Sequence, residues 1–166
     1  AIRRMLVRGA PLIGATAAYG LCLGLREDVR DAHLERLATE LIDCRPTAVN
    51  LRWAVARMLA RLRPLPAGER LRAAYGEAAL ICDEDVAVNE AIGTHGLGLI
   101  EAVWRQKGGR GPVRILTHCN AGWLATVDWG TALAPVYQAA AAGIAVHVLV
   151  DETRPRNQGA ALTTWE

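Results

Sequence analysis

The sequence predicts an α/β protein: a mostly helical N-terminal domain over residues 1–108, then the first βαβ part of a parallel-sheet domain over residues 109–166. Three observations predict it. Apolar residues recur at helical spacing as far as about Gln106. A Gly/Pro cluster, Lys107-Gly108-Gly109-Arg110-Gly111-Pro112, then interrupts the chain as domain boundaries do. Beyond it, two β-branched runs, Val113–Thr117 and Ile144–Val150, flank an Ala-rich helical stretch from Thr131 to Ala142 that Gly143 closes.

In chain order, Ala1–Leu6 reads as helix interior without a cap, and Arg8-Gly9-Ala10-Pro11 breaks it and opens a second helix. Pro suits that place because its fixed φ is helical and a first-turn N–H would be unpaired anyway. The small apolar run to Leu25 predicts a buried helix. Asp28 is placed to cap the next one, in which Leu34, Leu37, Leu41 and Ile42 oppose Asp31, Glu35, Arg36 and Glu40. Arg45-Pro46-Thr47 repeats the Pro device, and Val49, Trp53, Ala56, Leu59 and Ala60 form the stripe of a helix ending near Arg63-Pro64. After the linker Leu65-Pro66-Ala67-Gly68, a long helical pattern runs through Leu71, Tyr75, Ala78, Ile81 and Cys82 to Ala91. It is expected to break at Gly93-Thr94-His95-Gly96 before a short last helix. The uncapped start, the stop at Trp165-Glu166 after a loop and a sheet of only two parallel strands read as an interior segment of a longer chain.

Composition narrows the function. With 166 residues, 52% hydrophobic and 22% charged, the chain can build a core. Its net charge of +2 comes from interspersed Arg and Asp/Glu, which argues against a nucleic-acid surface. The apolar stretches are too short or too Gly-interrupted to span a bilayer. Cys22, Cys44, Cys82 and Cys119 stand far apart, so a reduced, cytoplasmic protein is expected. His33, His95, His118 and His147 have no ligand spacing, and no metal site is expected. No Gly-x-Gly-x-x-Gly follows the strand at Val113, so no dinucleotide cofactor is expected either.

Ligands of open α/β sheets bind outside the carboxyl ends of the strands. Here those ends carry Thr117-His118-Cys119-Asn120-Ala121-Gly122 and Asp151-Glu152-Thr153-Arg154-Pro155-Arg156. Cys119 either presents a thiol to a pocket or fills the core as a small apolar residue. Arg8-Gly9-Ala10 offers a helix start, a backbone open to close approach and a guanidinium, the parts of an anion site; a helix junction with Arg8 solvated is the alternative. Arg45 before Pro46 has the same two readings. Glu152, Arg154 and Arg156 read equally as a solvated, mutually paired loop, and Gln158 is a polar group beside the permissive Gly159.

Together VRGAPLIGATAAYG at 7–20, RPTAVNLRWA at 45–54, EDVAVNEAIGTHG at 84–96, ILTHCNAGWLAT at 115–126 and DETRPRNQGAALTTWE at 151–166 resemble, in order and spacing, the methylthioribose-1-phosphate isomerase family. The resemblance spans essentially the whole chain. It implies a helical N-terminal domain joined to a Rossmann-like C-terminal one, a homodimer, and a cofactor-independent aldose-ketose isomerisation of 5-methylthioribose 1-phosphate in methionine salvage. The family's phosphate-binding Arg-Gly-Ala falls on Arg8, Gly9 and Ala10, its second substrate-binding Arg on Arg45, its substrate-binding Gln on Gln158 and its catalytic Cys on Cys119. The family's catalytic Asp and a following Asn-Lys pair match no position here. Asp128 and Asp151 lie in other motifs, so the chain alone is expected to be inactive. The same fold also serves ribose-1,5-bisphosphate isomerases and non-catalytic regulatory subunits of a translation-initiation exchange factor. The RGAP and THCN combination argues against the regulatory role, and apolar surroundings with Trp123 suit a methylthio group better than a second phosphate.

Overall fold

The computed structural model describes all residues, Ala1–Glu166, and the protein is α/β. Its helices are α1 (Ala10–Leu25), α2 (Asp31–Ile42), α3 (Val49–Leu62), α4 (Ala67–Gln106) and α5 (Ala134–Ala141), and its strands are β1 (Val113–His118) and β2 (Val146–Asp151). Contacts divide the chain inside α4 into two compact units, Ala1–Glu84 and Asp85–Glu166. The Gly/Pro cluster marks the turn from α4 into β1, because Leu97, Ile100 and Trp104 of α4 contribute to the core beneath the sheet.

In the first unit the core is built from α1 residues Ile13, Ala17, Ala18, Leu21, Cys22 and Leu25 and α3 residues Leu51, Ala54, Val55, Met58 and Leu62. The two helices approach closely at Gly14, where a Cβ would stand 3.2 Å from the Asn50 carbonyl oxygen. Of the expected stripe of α3 only Leu59 is buried, while Val49 is 77% and Trp53 48% exposed. The competing stripe, with Leu51, Met58 and Leu62, buries more apolar area, while Trp53 lies under the Arg57 guanidinium, 5.7 Å from the ring centroid. Arg57 donates to Glu77 at 2.6 Å and to Glu84 at 2.9 Å.

The chain start is also not helical. Met5 takes a positive φ of 55°, and Met5 and Leu6 donate to the Ile2 and Ala1 carbonyls at 3.0 Å in a closed turn. Nor does Asp28 cap α2. Its carboxylate accepts the Arg30 N–H at 2.9 Å and the Arg30 guanidinium, and the cap position is Arg30 itself. Buried His33 ties α2 to the end of α1, with Nε2 3.1 Å from the Gly24 carbonyl and Nδ1 2.7 Å from the Arg36 guanidinium.

In the second unit β1 and β2 pair in parallel, from Val113 opposite Val146 to His118 opposite Asp151. Ile100, Val113, Ala139 and Ile144 form the core there, with Leu97, Trp104, Ile115 and Val146 packed against it. The expected break at Gly93–Gly96 does not occur, and α4 runs through unbroken. These glycines serve packing: a Cβ on Gly93 would meet the Gln138 side chain, and one on Gly96 the Pro135 ring. As expected, Gly143 ends α5 with a φ of 77°.

Candidate functional site

The candidate site residues fall in two groups, one in each unit. In the first unit α1 starts at Ala10 with Gly9 at its cap position (φ −65°, ψ 139°) and Pro11 in its first turn. No side chain caps this end and no acidic residue occupies its first turn, so the positive end of the helix dipole is uncompensated. Arg8 uses its Nε to hold the Met5 carbonyl at 3.1 Å. Arg45 is half-buried, and its Nη1 is buried without a hydrogen-bond partner. A buried guanidinium nitrogen without an acceptor is costly, so this atom needs an anion or another acceptor. Arg45 lies in the loop between α2 and α3, and α3 packs against α1 at Gly14.

In the second unit β1 and β2 end side by side. Cys119 follows β1 in the left-handed region, φ 61°, which a side chain with a Cβ rarely adopts. Its N–H extends the ladder to the Asp151 carbonyl at 2.9 Å, and its carbonyl accepts the Thr163 hydroxyl at 2.5 Å. Asn120 Nδ2 donates to Thr163 Oγ1 at 3.1 Å and to Glu166 Oε2 at 2.7 Å, while the other Glu166 oxygen takes the Leu124 N–H at 2.7 Å. Farther round the loop, Val127 N–H donates to Asp85 at 2.8 Å, and Trp123 stacks on Tyr137 with centroids 5.3 Å apart. Burial and the nearby Glu166 carboxylate push the Tyr137 phenol up to about 12.

Gln158 is half-buried and immediately precedes a single π-turn, Gly159–Thr163. The Glu152 carboxylate brackets it, accepting the N–H groups of Thr153 at 2.8 Å, Gly159 at 2.7 Å and Ala160 at 2.9 Å. These bonds, that from Ala160 foremost, hold the carboxyl below the ordinary Glu value. Glu152 is thus a backbone cap. Gly159 is needed there, since a Cβ would come 2.9 Å from the Asp151 carbonyl.

Arg8, Gly9, Ala10 and Arg45 therefore belong to the first unit and Cys119 and Gln158 to the second. The supports Asn120, Thr163, Glu166 and Glu152 carried no signal at the level of spacing, because Thr163 and Glu166 meet the Cys119 loop across more than forty residues. Nowhere do three or more His, Cys, Asp or Glu gather as a metal site would require, and no helix is long and apolar enough to cross a membrane.

The sequence matches the Initiation factor 2 subunit family over residues 6–166. It is 64% identical to the methylthioribose-1-phosphate isomerases of Rhodospirillum rubrum and of Gluconobacter oxydans, each alignment covering the whole of this chain and 44% and 45% of the relative. The chain thus spans under half the length of these curated relatives. Among solved structures, 5-methylthioribose 1-phosphate isomerase from Pyrococcus horikoshii matches 99% of the chain and 46% of its own length at a TM-score of 0.82 and 38% identity. The delta subunit of translation initiation factor eIF-2B from A. fulgidus matches 99% and 48% at 0.80 and 40%.

Proposed function

Since the chain belongs to the Initiation factor 2 subunit family, whose fold carries proteins with two kinds of name, we propose from its side chains that the protein is an aldose-ketose isomerase acting on 5-methylthioribose 1-phosphate. Fold alone does not choose between an enzyme and a translation factor. The observation that carries the choice is the buried, unpartnered Nη1 of Arg45, in the same unit as the uncapped start of α1. That combination suits a phosphate, and Arg8, the N–H groups of the Gly9–Ala10 turn and Arg45 are its ligands.

The chemistry is balanced within the sugar. A general acid protonates the ring oxygen as its bond to C1 breaks, hydrogen passes from C2 to C1, and a general base takes the C2 hydroxyl proton as the ketone forms. Product is 5-methylthioribulose 1-phosphate, and no electrons are exchanged with another molecule. Cys119 is one of the two proton-transfer groups, presented at a strand end by its left-handed backbone. Gln158 contacts the sugar. The reaction uses no cofactor, and the working protein is a cytoplasmic homodimer.

Phosphorus NMR of 5-methylthioribose 1-phosphate mixed with the protein from the uninterrupted reading frame tests this reading. Conversion is expected with that protein, abolished in Cys119→Ala, and absent with the 166-residue chain alone. No conversion by the complete protein, or wild-type turnover by Cys119→Ala, would overturn it.

A further inference from the structure

Cys119 is the non-glycine residue at the end of β1 with a positive φ, and what keeps it there is the segment 163–166, which returns to the loop from far along the chain. Left-handed backbone at such a residue persists only where its surroundings over-determine it. Here they do so through one connected chain of bonds. The Leu124 N–H and the Asn120 amide meet on the Glu166 carboxylate, the same amide donates to Thr163 Oγ1, and the Thr163 hydroxyl donates to the Cys119 carbonyl at 2.5 Å. Thr163 is buried, so its hydroxyl does not exchange freely with water. Gly122 gives independent evidence that the contact is built in: a Cβ there would run into the Glu166 carboxylate and the Tyr137 hydroxyl, so the loop accepts the carboxylate only because this position has no side chain.

We propose that Thr163 and Glu166 are positioning residues, which set the direction of the Cys119 thiol by fixing its carbonyl and the loop that follows it. The proposal rests on the isomerase reading for its kinetic consequence, but not for its chemical one. Neither side chain touches substrate. Their removal lets the 119–124 loop relax toward ordinary φ, which swings the thiol away while leaving the phosphate ligands of the first unit untouched.

The test uses the protein from the uninterrupted reading frame with Thr163→Val, which keeps the shape and deletes the hydroxyl, Thr163→Ser, which restores it, and Glu166→Gln. Turnover and the site-resolved rate of Cys119 alkylation by iodoacetamide are both measured. Thr163→Val is expected to lower kcat at least about tenfold with KM within about twofold, and to change the alkylation rate at least about threefold; Thr163→Ser returns both toward wild type. Glu166→Gln, whose amide can accept only part of the carboxylate's bonds, is expected to fall between wild type and Thr163→Val, and it decides the matter should Thr163→Val not fold. Wild-type kcat and alkylation in Thr163→Val or, where that does not fold, in Glu166→Gln, or a Thr163→Ser that behaves like Thr163→Val, would overturn the proposal. Should no variant or wild-type protein convert the sugar, the isomerase reading fails by itself, and the alkylation rates alone decide whether Thr163 and Glu166 position Cys119.

Discussion

The Glu152 carboxylate accepts the Gly159 N–H at 2.7 Å, closing the chain around Gln158. With the Thr153 and Ala160 N–H groups on the same carboxylate, the loop is organised by one ionised side chain at its mouth. Its carboxyl is held below the ordinary Glu value of 4.5, so the sign is that of a depressed acid: the stabilisation is complete above the unfolded value and is lost as pH falls through the folded one. Amide exchange at Gly159 and Ala160 should therefore accelerate, beyond what the intrinsic rates dictate, as pH falls below the ordinary Glu value. Glu152→Gln should show that acceleration already at neutral pH and raise KM through Gln158.

Arg45 gives a prediction with two opposite signs. Its unpartnered Nη1 is a cost in the free protein and an asset when an anion arrives. Arg45→Met should therefore leave the melting temperature of the free protein unchanged or raise it, while weakening sugar-phosphate binding by roughly 10- to 100-fold. Arg45→Lys should not restore binding, because an ammonium cannot reproduce the planar fork. A loss of stability equal to the loss of affinity would show that Arg45 is structural.

Helices α1 to α3, the two parallel strands and the Pro-initiated start of α1 were legible because each rests on local chemistry: spacing, a fixed φ, a β-branched run; Pro46, by contrast, lies in a turn before α3, whose cap is Ala48. Other features were not. The stripe of α3 was ambiguous, since Val49-Trp53-Ala56-Leu59/Ala60 and Leu51-Val55-Met58-Leu62 both keep helical spacing, and of the first only Leu59 is buried. The continuity of α4 depends on α5, which arrives from forty residues away to occupy the space at Gly93 and Gly96. Among the candidate site residues, Cys119, Arg8, Arg45 and Gln158 carried motif signals, while Thr163 and Glu166 reach the Cys119 loop by tertiary hydrogen bonds that no local pattern encodes.

That account of α4 can be checked directly. Gly→Ala inside a helix normally stabilises by about 1 kcal/mol, and Gly98, with open space around its would-be Cβ, should follow the rule. Gly93→Ala and Gly96→Ala should do the reverse and lower the melting temperature, because the added methyl displaces Gln138 or Pro135 of α5. Equal gains at all three positions would mean that α5 does not press on α4.

Arg70 is the side chain whose loss should damage the first unit most. It is only 5% exposed, and its guanidinium donates to the carbonyls of Leu62 at 3.3 Å, Leu65 at 3.1 Å and Val29 at 2.9 Å, tying the end of α3 to the turn before α2. Its fourth partner, Asp31, lies 2.5 Å away but is largely exposed, so that ion pair adds little. Arg70→Met should cost about 2–4 kcal/mol, since three carbonyls lose a buried donor, whereas Asp31→Asn should stay within about 0.5 kcal/mol. Urea unfolding of the two variants measures the difference. Equal costs would move the weight from the carbonyls to the ion pair, and with it the reason a charged residue is buried at this junction.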